Sequence, residues 1–226
     1  MRIWTTLAAS AIAAAAASAE TITQTIDFNW GLETGLEIGS FAGFDNAGGT
    51  RQLTGVSLSV DGSARWDVTV LNYSSATLGA DAWFADGLAN FNVLLGEFGP
   101  NSVERYAGVV QFNGLTGFLS AGDPGSGEPG SPGVSGSFTG LLAGFFDLEA
   151  ADFGVFQNGV VEARLLGFTD AYVDGPNGSP PDLLVDTDLL SAGGRVTLTY
   201  TYALVPAPAG LALLGAVVPL AVRRRR

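Results

Sequence analysis

Carboxylates are the only side chains here that can carry acid–base work. The chain has 22 Asp and Glu, and its ten basic residues are all Arg; Lys, His and Cys are absent. Without His or Lys, no serine has a neighbour able to take its proton, which removes serine-type hydrolysis. Without Cys there are no disulfides, thiol nucleophiles or thiolate metal sites. Paired carboxylates remain. A glycosidase needs two of them, roughly 5–10 Å apart in a sugar cleft, and Trp66, Tyr73, Trp83 and Phe84 are rings that can stack on sugars. The plainer reading of the same rings is that they fill a core between two sheets. Asp170, Asp174, Asp182, Asp186 and Asp188 gather beside a Gly/Pro loop, and calcium takes oxygen ligands. Their spacing fits no EF-hand or RTX repeat, so calcium stands against the plainer reading of a solvated acidic loop. Gly125-Ser126-Gly127-Glu128-Pro129-Gly130 satisfies G-x-G-x-x-G as a string. A phosphate-binding turn must follow a strand and open a helix. This one sits in a Pro-rich loop, so it reads as coincidence. The expectation is a chain with no catalytic residue, no bound metal and no cofactor, calcium being the one alternative.

The elements that must position these groups read as β-structure. Ile22, Ile26, Phe28 and Trp30 alternate with Thr21, Thr23, Thr25, Asp27 and Asn29, which is period two. Val56, Leu58 and Val60 alternate with serines. Asp61-Gly62 follows as a hairpin signal, and Trp66, Val68 and Val70 continue beyond it. Further strands are expected within 88–95, 109–112, 137–142, 153–157 and 160–168. A last one has Val196, Leu198, Tyr200 and Tyr202 on one face and Thr197, Thr199 and Thr201 on the other. A single helical turn fits 148–152. Stretches 120–136 and 174–182 are rich in Gly, Pro and Ser and read as loops, the first a mobile excursion. Short strands with Gly-rich turns predict an all-β fold, an antiparallel β-sandwich of jelly-roll-like type.

Both ends differ from this body. Arg2, an apolar Ala-rich run from Ile3 to Ala16, and Ala17-Ser18-Ala19 have the layout of a secretory leader. Cleavage by signal peptidase is expected between Ala19 and Glu20. At the other end, Val205-Pro206-Ala207-Pro208-Ala209-Gly210 leads into an apolar run and then Arg223, Arg224, Arg225 and Arg226. The 14 residues from Ala209 to Val222 span roughly 21 Å as a helix. Extended back to Ala203, the run is about long enough for the ~30 Å hydrocarbon core. Four terminal Arg resist translocation and stay cytoplasmic, while Pro206 and Pro208 hold an extended stretch at the outer face. A plain anchor, never cut, has the same ingredients. The expected division is a signal peptide over 1–19, a β-sandwich domain over 20–204 and a sorting or transmembrane segment over 205–226. Between the two end segments, five Arg face 22 acidic residues, a formal charge of −17. Such a surface repels nucleic acid and anionic lipid.

The Val-Pro-x-Pro-Ala motif, apolar segment and Arg cluster together resemble the PEP-CTERM class of sorting signals, in the variant written VPLPA-CTERM or VPxxxP-CTERM. Ala207 stands where the type motif has Glu. The resemblance implies a membrane-embedded exosortase that recognises the motif and removes the tail, in a Gram-negative host that often makes exopolysaccharide. The body, from Thr21 to Tyr202, resembles the choice-of-anchor E domain. Phe44-Asp45, the run Leu53-Thr54-Gly55-Val56-Ser57-Leu58-Ser59-Val60 and the closing Val196 to Tyr202 carry that likeness. It implies a β-rich extracellular module with no catalytic residues. The expected function is a non-enzymatic exported envelope or matrix protein, tethered transiently to the inner membrane and then delivered to the outer surface or the medium. The alternative is a carbohydrate-binding module or carboxylate-dependent glycosidase acting on exopolysaccharide.

Overall fold

The computed structural model describes residues 19–31, 37–97, 102–157, 159–176 and 182–205. Eight strands follow one another: β1 (Ala19–Gly31), β2 (Glu37–Ala42), β3 (Arg51–Asn72), β4 (Phe84–Leu95), β5 (Val103–Leu115), β6 (Val134–Asp147), β7 (Val160–Asp174) and β8 (Leu183–Leu204). A 3-10 turn, Ala47–Gly49, precedes β3, and a 3-10 helix, Ala150–Phe156, follows β6. The fold is all-β and its strand pairs are antiparallel. Strand order is β1-β8-β3-β6-β5-β4-β7-β2, one sheet folded into two facing walls of four strands and nearly closed on itself.

Period-two burial builds those walls. Along β3 the even positions Val56, Leu58, Val60, Ala64, Trp66, Val68 and Val70 are buried, while the odd positions stay accessible. Opposite strands contribute Phe91, Val93, Val110, Phe112, Val161 and Leu165 to the same core. Trp66 is fully buried and meets Phe112 edge-on, with ring centroids 5.1 Å apart. Its Nε1–H has no hydrogen-bond partner among the described residues.

Two expectations change. Asp61-Gly62 is not a hairpin: β3 runs unbroken from Arg51 to Asn72. The apolar phase keeps to even numbers on both sides of Gly62, which a two-residue turn does not require but a single strand does. Gly62 instead pairs with Gly194 of β8, where a Cβ would lie 2.5 Å from the Gly193 carbonyl oxygen. Stretch 153–157 is not a strand either. Residues 153–156 belong to the 3-10 helix, which buries Phe156 and pairs Asp152 with Arg105 of β5 at 3.1 Å, and Gln157 forms an isolated bridge with Phe44. Stretch 120–136 is a tethered loop down to Gly133, with β6 beginning at Val134.

The walls meet at two corners. At one, β5 and β6 pair only at Gly108 and Leu142. At the other, the Gln24 side chain of β1 substitutes for a backbone ladder. Its Nε2 donates to Ala42 O of β2 at 2.7 Å, and its Oε1 accepts from Ala42 N at 2.8 Å. That satisfies groups an edge strand would leave open. Tyr200 of β8 adds a third bond, its hydroxyl donating to the same Ala42 O at 3.0 Å. Burial pushes the Tyr200 hydroxyl up to about 12 from an ordinary 10.0. A raised folded-state value favours the native state while the group is protonated. The contribution is whole below pH 10 and is lost as pH rises through about 12. The denaturant midpoint is therefore expected to fall between pH 10 and 12, and Tyr200→Phe to flatten that fall; equal slopes in both proteins would refute the assignment.

Candidate functional site

The end signals fall at the margins of the fold. Ala19 and Glu20, the expected cleavage pair, are the first two residues of β1, opposite Ala203 and Tyr202 of β8. Glu20 Oε2 accepts a hydrogen bond from the Tyr202 hydroxyl at 2.6 Å. That bond raises the Tyr202 hydroxyl above its ordinary range. Val205 follows β8 directly, and its N–H donates to Thr50 O at 2.9 Å. Ala17, Pro206, Pro208, Ala209 and Arg223 to Arg226 lie outside the described residues. Among the described residues no helix is long and apolar enough to cross a membrane. A shallow cleft of about 380 Å³ opens where Val205 leaves the domain, lined by Phe44, Asn46, Arg51 and Gln157 among others. Arg51 is already engaged there, its guanidinium 5.1 Å from the Tyr202 ring centroid.

The acidic candidates for calcium are divided between the walls. Asp170 and Asp174 stand on β7, opposite Leu88 and Phe84 of β4, whereas Asp186 stands on β8, opposite Thr69 of β3. Asp182 lies in the turn before β8 with φ 63°. The Asp188 side chain is outside what is described. Among the described residues no three acidic groups converge on a point that could hold a metal ion.

The glycine-rich string is spent on its own turn. Asp123 Oδ1 accepts from Gly125 N at 2.9 Å, and Asp123 O accepts from the N–H groups of Ser126, Gly127 and Glu128. A phosphate cradle needs those amides free. The Gly125 amide first, and Ser126 after it, hold the Asp123 carboxyl below its ordinary range.

Trp66 and Trp83 follow the core reading of the sequence. They are buried between the walls, Trp83 Nε1 donating to Gly117 O at 2.9 Å. Neither can stack on a sugar. The rings that face solvent are others: Phe118 in the loop after β5, Phe145 of β6, and a group of three, Tyr106 of β5 at 52% exposed and Phe168 and Tyr172 of β7 at 54% each. Phe118 and Phe145 stand apart from the group. The three of the group lie on the outer face of the β5-β4-β7 wall. Along β7, Val161, Ala163 and Leu165 point inward at odd positions. Beyond them, even positions carry Phe168, Asp170 and Tyr172 outward. Extending that phase past Gly167 is the sequence signal that locates two of the three rings. Tyr106 gave no such signal, because a register shift between Phe91 and Asn92 breaks the alternation opposite it.

Pairing places amides between the rings. Asn90 of β4 sits between Phe168 and Val109, and Asn92 between Leu166 and Tyr106. Leu88 lies between Asp170 and Gln111, and Asp86 lies opposite Tyr172. The Tyr172 hydroxyl donates to Asp86 Oδ2 at 3.2 Å. The charge of Asp86, joined by Asp174 and Asp170, pushes that hydroxyl up from its ordinary range. The outer face of the other wall has a different chemistry. Thr21, Thr23 and Thr25 of β1 oppose Thr201, Thr199 and Thr197 of β8. It carries the pairs Arg195–Asp27 at 2.8 Å and Arg65–Asp67 at 2.9 Å, and Leu141 and Phe145 of β6 stand exposed on it.

Neither a family model nor a curated protein matches the chain. Among solved structures it is similar to the infectious bursal disease virus VP2 subviral particle, at 11% identity and a TM-score of 0.24, over 84% of this chain and 43% of that one. It is also similar to the structure of the infectious bursal disease virus Gx strain, at 12% identity and a TM-score of 0.17, over 86% of this chain and 42% of that one. The chain thus spans less than half the length of these structures. A likeness at these scores carries nothing about fold or function.

Proposed function

We propose that the chain is an exported, non-enzymatic module of a bacterial envelope or extracellular matrix, of the choice-of-anchor E kind, delivered through a PEP-CTERM-type tail. Signal peptidase removes the leader after Ala19. The tail from Val205 holds the domain on the outer side of the inner membrane until an exosortase-type protease cuts it. The domain then passes to the cell surface or the medium. Strand order supports the finer fold reading: one wall runs 1-8-3-6 and the other 2-7-4-5, the arrangement of a double-sheet jelly roll of eight strands.

The observation that carries the proposal is where β8 stops. It ends at Leu204, directly before the Val205 motif, and Ala19, the residue ahead of the expected leader cut, pairs with Ala203 close to that end. Among the described residues, cutting after Ala19 or beyond Val205 costs the sheet a single terminal pair. A signal embedded in the sheet would unravel the domain when processed.

Intact-mass measurement of envelope and culture-medium fractions tests this. The expected product begins at Glu20 and ends within or just after the Val205 to Ala209 motif. A full-length cytoplasmic product with its leader intact sinks the proposal, as does unchanged localisation after deletion of 205–226.

A further inference from the structure

We infer that the outer face of the β5-β4-β7 wall is a binding surface for an uncharged polysaccharide. Its ligand is an extended chain of neutral sugars lying across Tyr172, Phe168 and Tyr106.

Geometry comes first. Phe168 and Tyr172 are four residues apart on β7, roughly 13 Å at strand rise. Tyr106 lies two strands over from β7 and one pair along, roughly 12 Å from Phe168 at ordinary strand spacing. The three rings mark a bent track of over 20 Å, far longer than any pocket on the molecule calls for. An extended polymer fits a track; a compact metabolite does not.

Chemistry comes second. A sugar presents flat C–H faces and a rim of hydroxyls. Exposed rings take the first, and side-chain amides, which both donate and accept, take the second. Asn90 sits between the rings and Gln111 beside them, while Asn92 already gives one hydrogen to Glu104. An apolar protein partner would instead leave those amides desolvated without partners, which is costly. Single exposed apolar residues such as Phe118, Leu141 and Phe145 need no explanation; three rings aligned on one sheet face with amides among them do.

Charge comes third and selects among polymers. Acids line the track along its length: Glu104 accepts from Asn92 Nδ2 beside Tyr106, Asp170 stands between Phe168 and Tyr172, and Asp86 and Asp174 crowd the Tyr172 end. Uronate or sulfate polymers meet repulsion there. The track is independent of the tail and of the export route, so this inference stands or falls without them.

The test is affinity electrophoresis of the full chain in mild detergent, against soluble glucans, mannans, xylans and galactans, with alginate as the anionic arm. At least one neutral polymer is expected to retard the protein, and alginate is not. Phe168→Ala combined with Tyr106→Ala should weaken retardation at least tenfold with an unchanged melting curve, since both residues are exposed. Thr21→Ala with Thr25→Ala, on the opposite wall, should leave it unchanged. No retardation by any neutral polymer overturns the inference, as does equal retardation of the Phe168/Tyr106 variant. A dimer in light scattering that this variant dissolves would also overturn it, by assigning the face to a second copy of the chain.

Discussion

Asn72→Leu is expected to lower stability by about 3–5 kcal/mol, read as a fall in denaturant midpoint at constant slope. Leucine matches asparagine in shape, so packing is nearly conserved and the loss isolates hydrogen bonding. Asn72 ends β3 and is the one fully buried polar side chain among the described residues. Its Nδ2 donates to Ala76 O at 2.7 Å and to Ser120 O at 2.9 Å. Its Oδ1 accepts from Ser74 N at 2.9 Å and Ser74 Oγ at 2.7 Å. The backbone extends the node: Gly130 N donates to Asn72 O, and Gly122 N to Ser74 O. The loop after β3 and the long loop before β6 are thus tied to one amide. Removing it takes a partner from the part-buried Ser120 carbonyl and Ser74 N–H, while Ala76 O keeps its bond from Ser74 Oγ at 3.2 Å; each group left unpaired out of reach of water costs about 1–3 kcal/mol. Against a typical total of 5–15 kcal/mol, that is a large fraction. Asn72→Asp sharpens the test. Its carboxylate keeps the Ser74 bonds but faces the Ala76 and Ser120 carbonyls with no hydrogen to give. Its folded-state value must rise above the unfolded one, so stability should recover as pH falls through it. Equal losses for Asn72→Asp at pH 7 and pH 4 would show that the node is not what holds the loops. The same burial bears on the Asn72-Tyr73-Ser74 sequon: in the folded chain this amide is already fully engaged.

What was legible in the sequence is what repeats locally. The Thr/Ile alternation of β1 and the Val/Leu/Tyr alternation of β8 identified strands and their buried faces, because a strand's two faces differ at every second residue. Residues 120–133 were legible as a loop, though the last three residues of the expected stretch, 134–136, open β6. The loop's tether was not legible, since Asn72 and Ser120 are 48 residues apart and nothing in either neighbourhood marks the other. Gly62 misled because a turn and a close strand crossing both ask for glycine. Only the unbroken even phase from Val56 to Val70 separates the two. For the exposed face, residue type alone did not single out the rings. Trp66 and Trp83 look like a binding platform by composition, yet the alternation around Trp66 places it inward. Phe168 and Tyr172 are outward by the same rule. Period, not ring chemistry, decides which aromatic residues meet solvent.

The second large effect is expected at the β5–β6 corner. Gly140→Ala should lower stability by about 2–4 kcal/mol, and Gly140→Val should leave the walls unable to close, with exposed core detected by dye binding. A Cβ at Gly140 would clash with the Val109 carbonyl oxygen, and Val110 Cα lies only 3.1 Å from the same point. These are backbone atoms of the neighbouring strand, so no rotamer relieves the contact and the strand itself must move. Gly108 is placed the same way, against the Leu141 carbonyl oxygen. Since Gly108 and Leu142 form the one pairing between β5 and β6, moving either strand gives up the corner entirely. Gly154→Ala is the control. That glycine has nothing within 4 Å of its Cβ position and no positive φ, so the substitution should be neutral or slightly stabilising. The cycle of Gly108→Ala and Gly140→Ala then separates a shared corner from two independent clashes. Once either substitution has pushed the strands apart, the second finds its room already made, so the double loss should fall at least 1 kcal/mol short of the sum. Additive losses would mean that each glycine relieves a local contact only, and that closure of the walls rests on the Gln24 and Tyr200 bonds at the opposite seam.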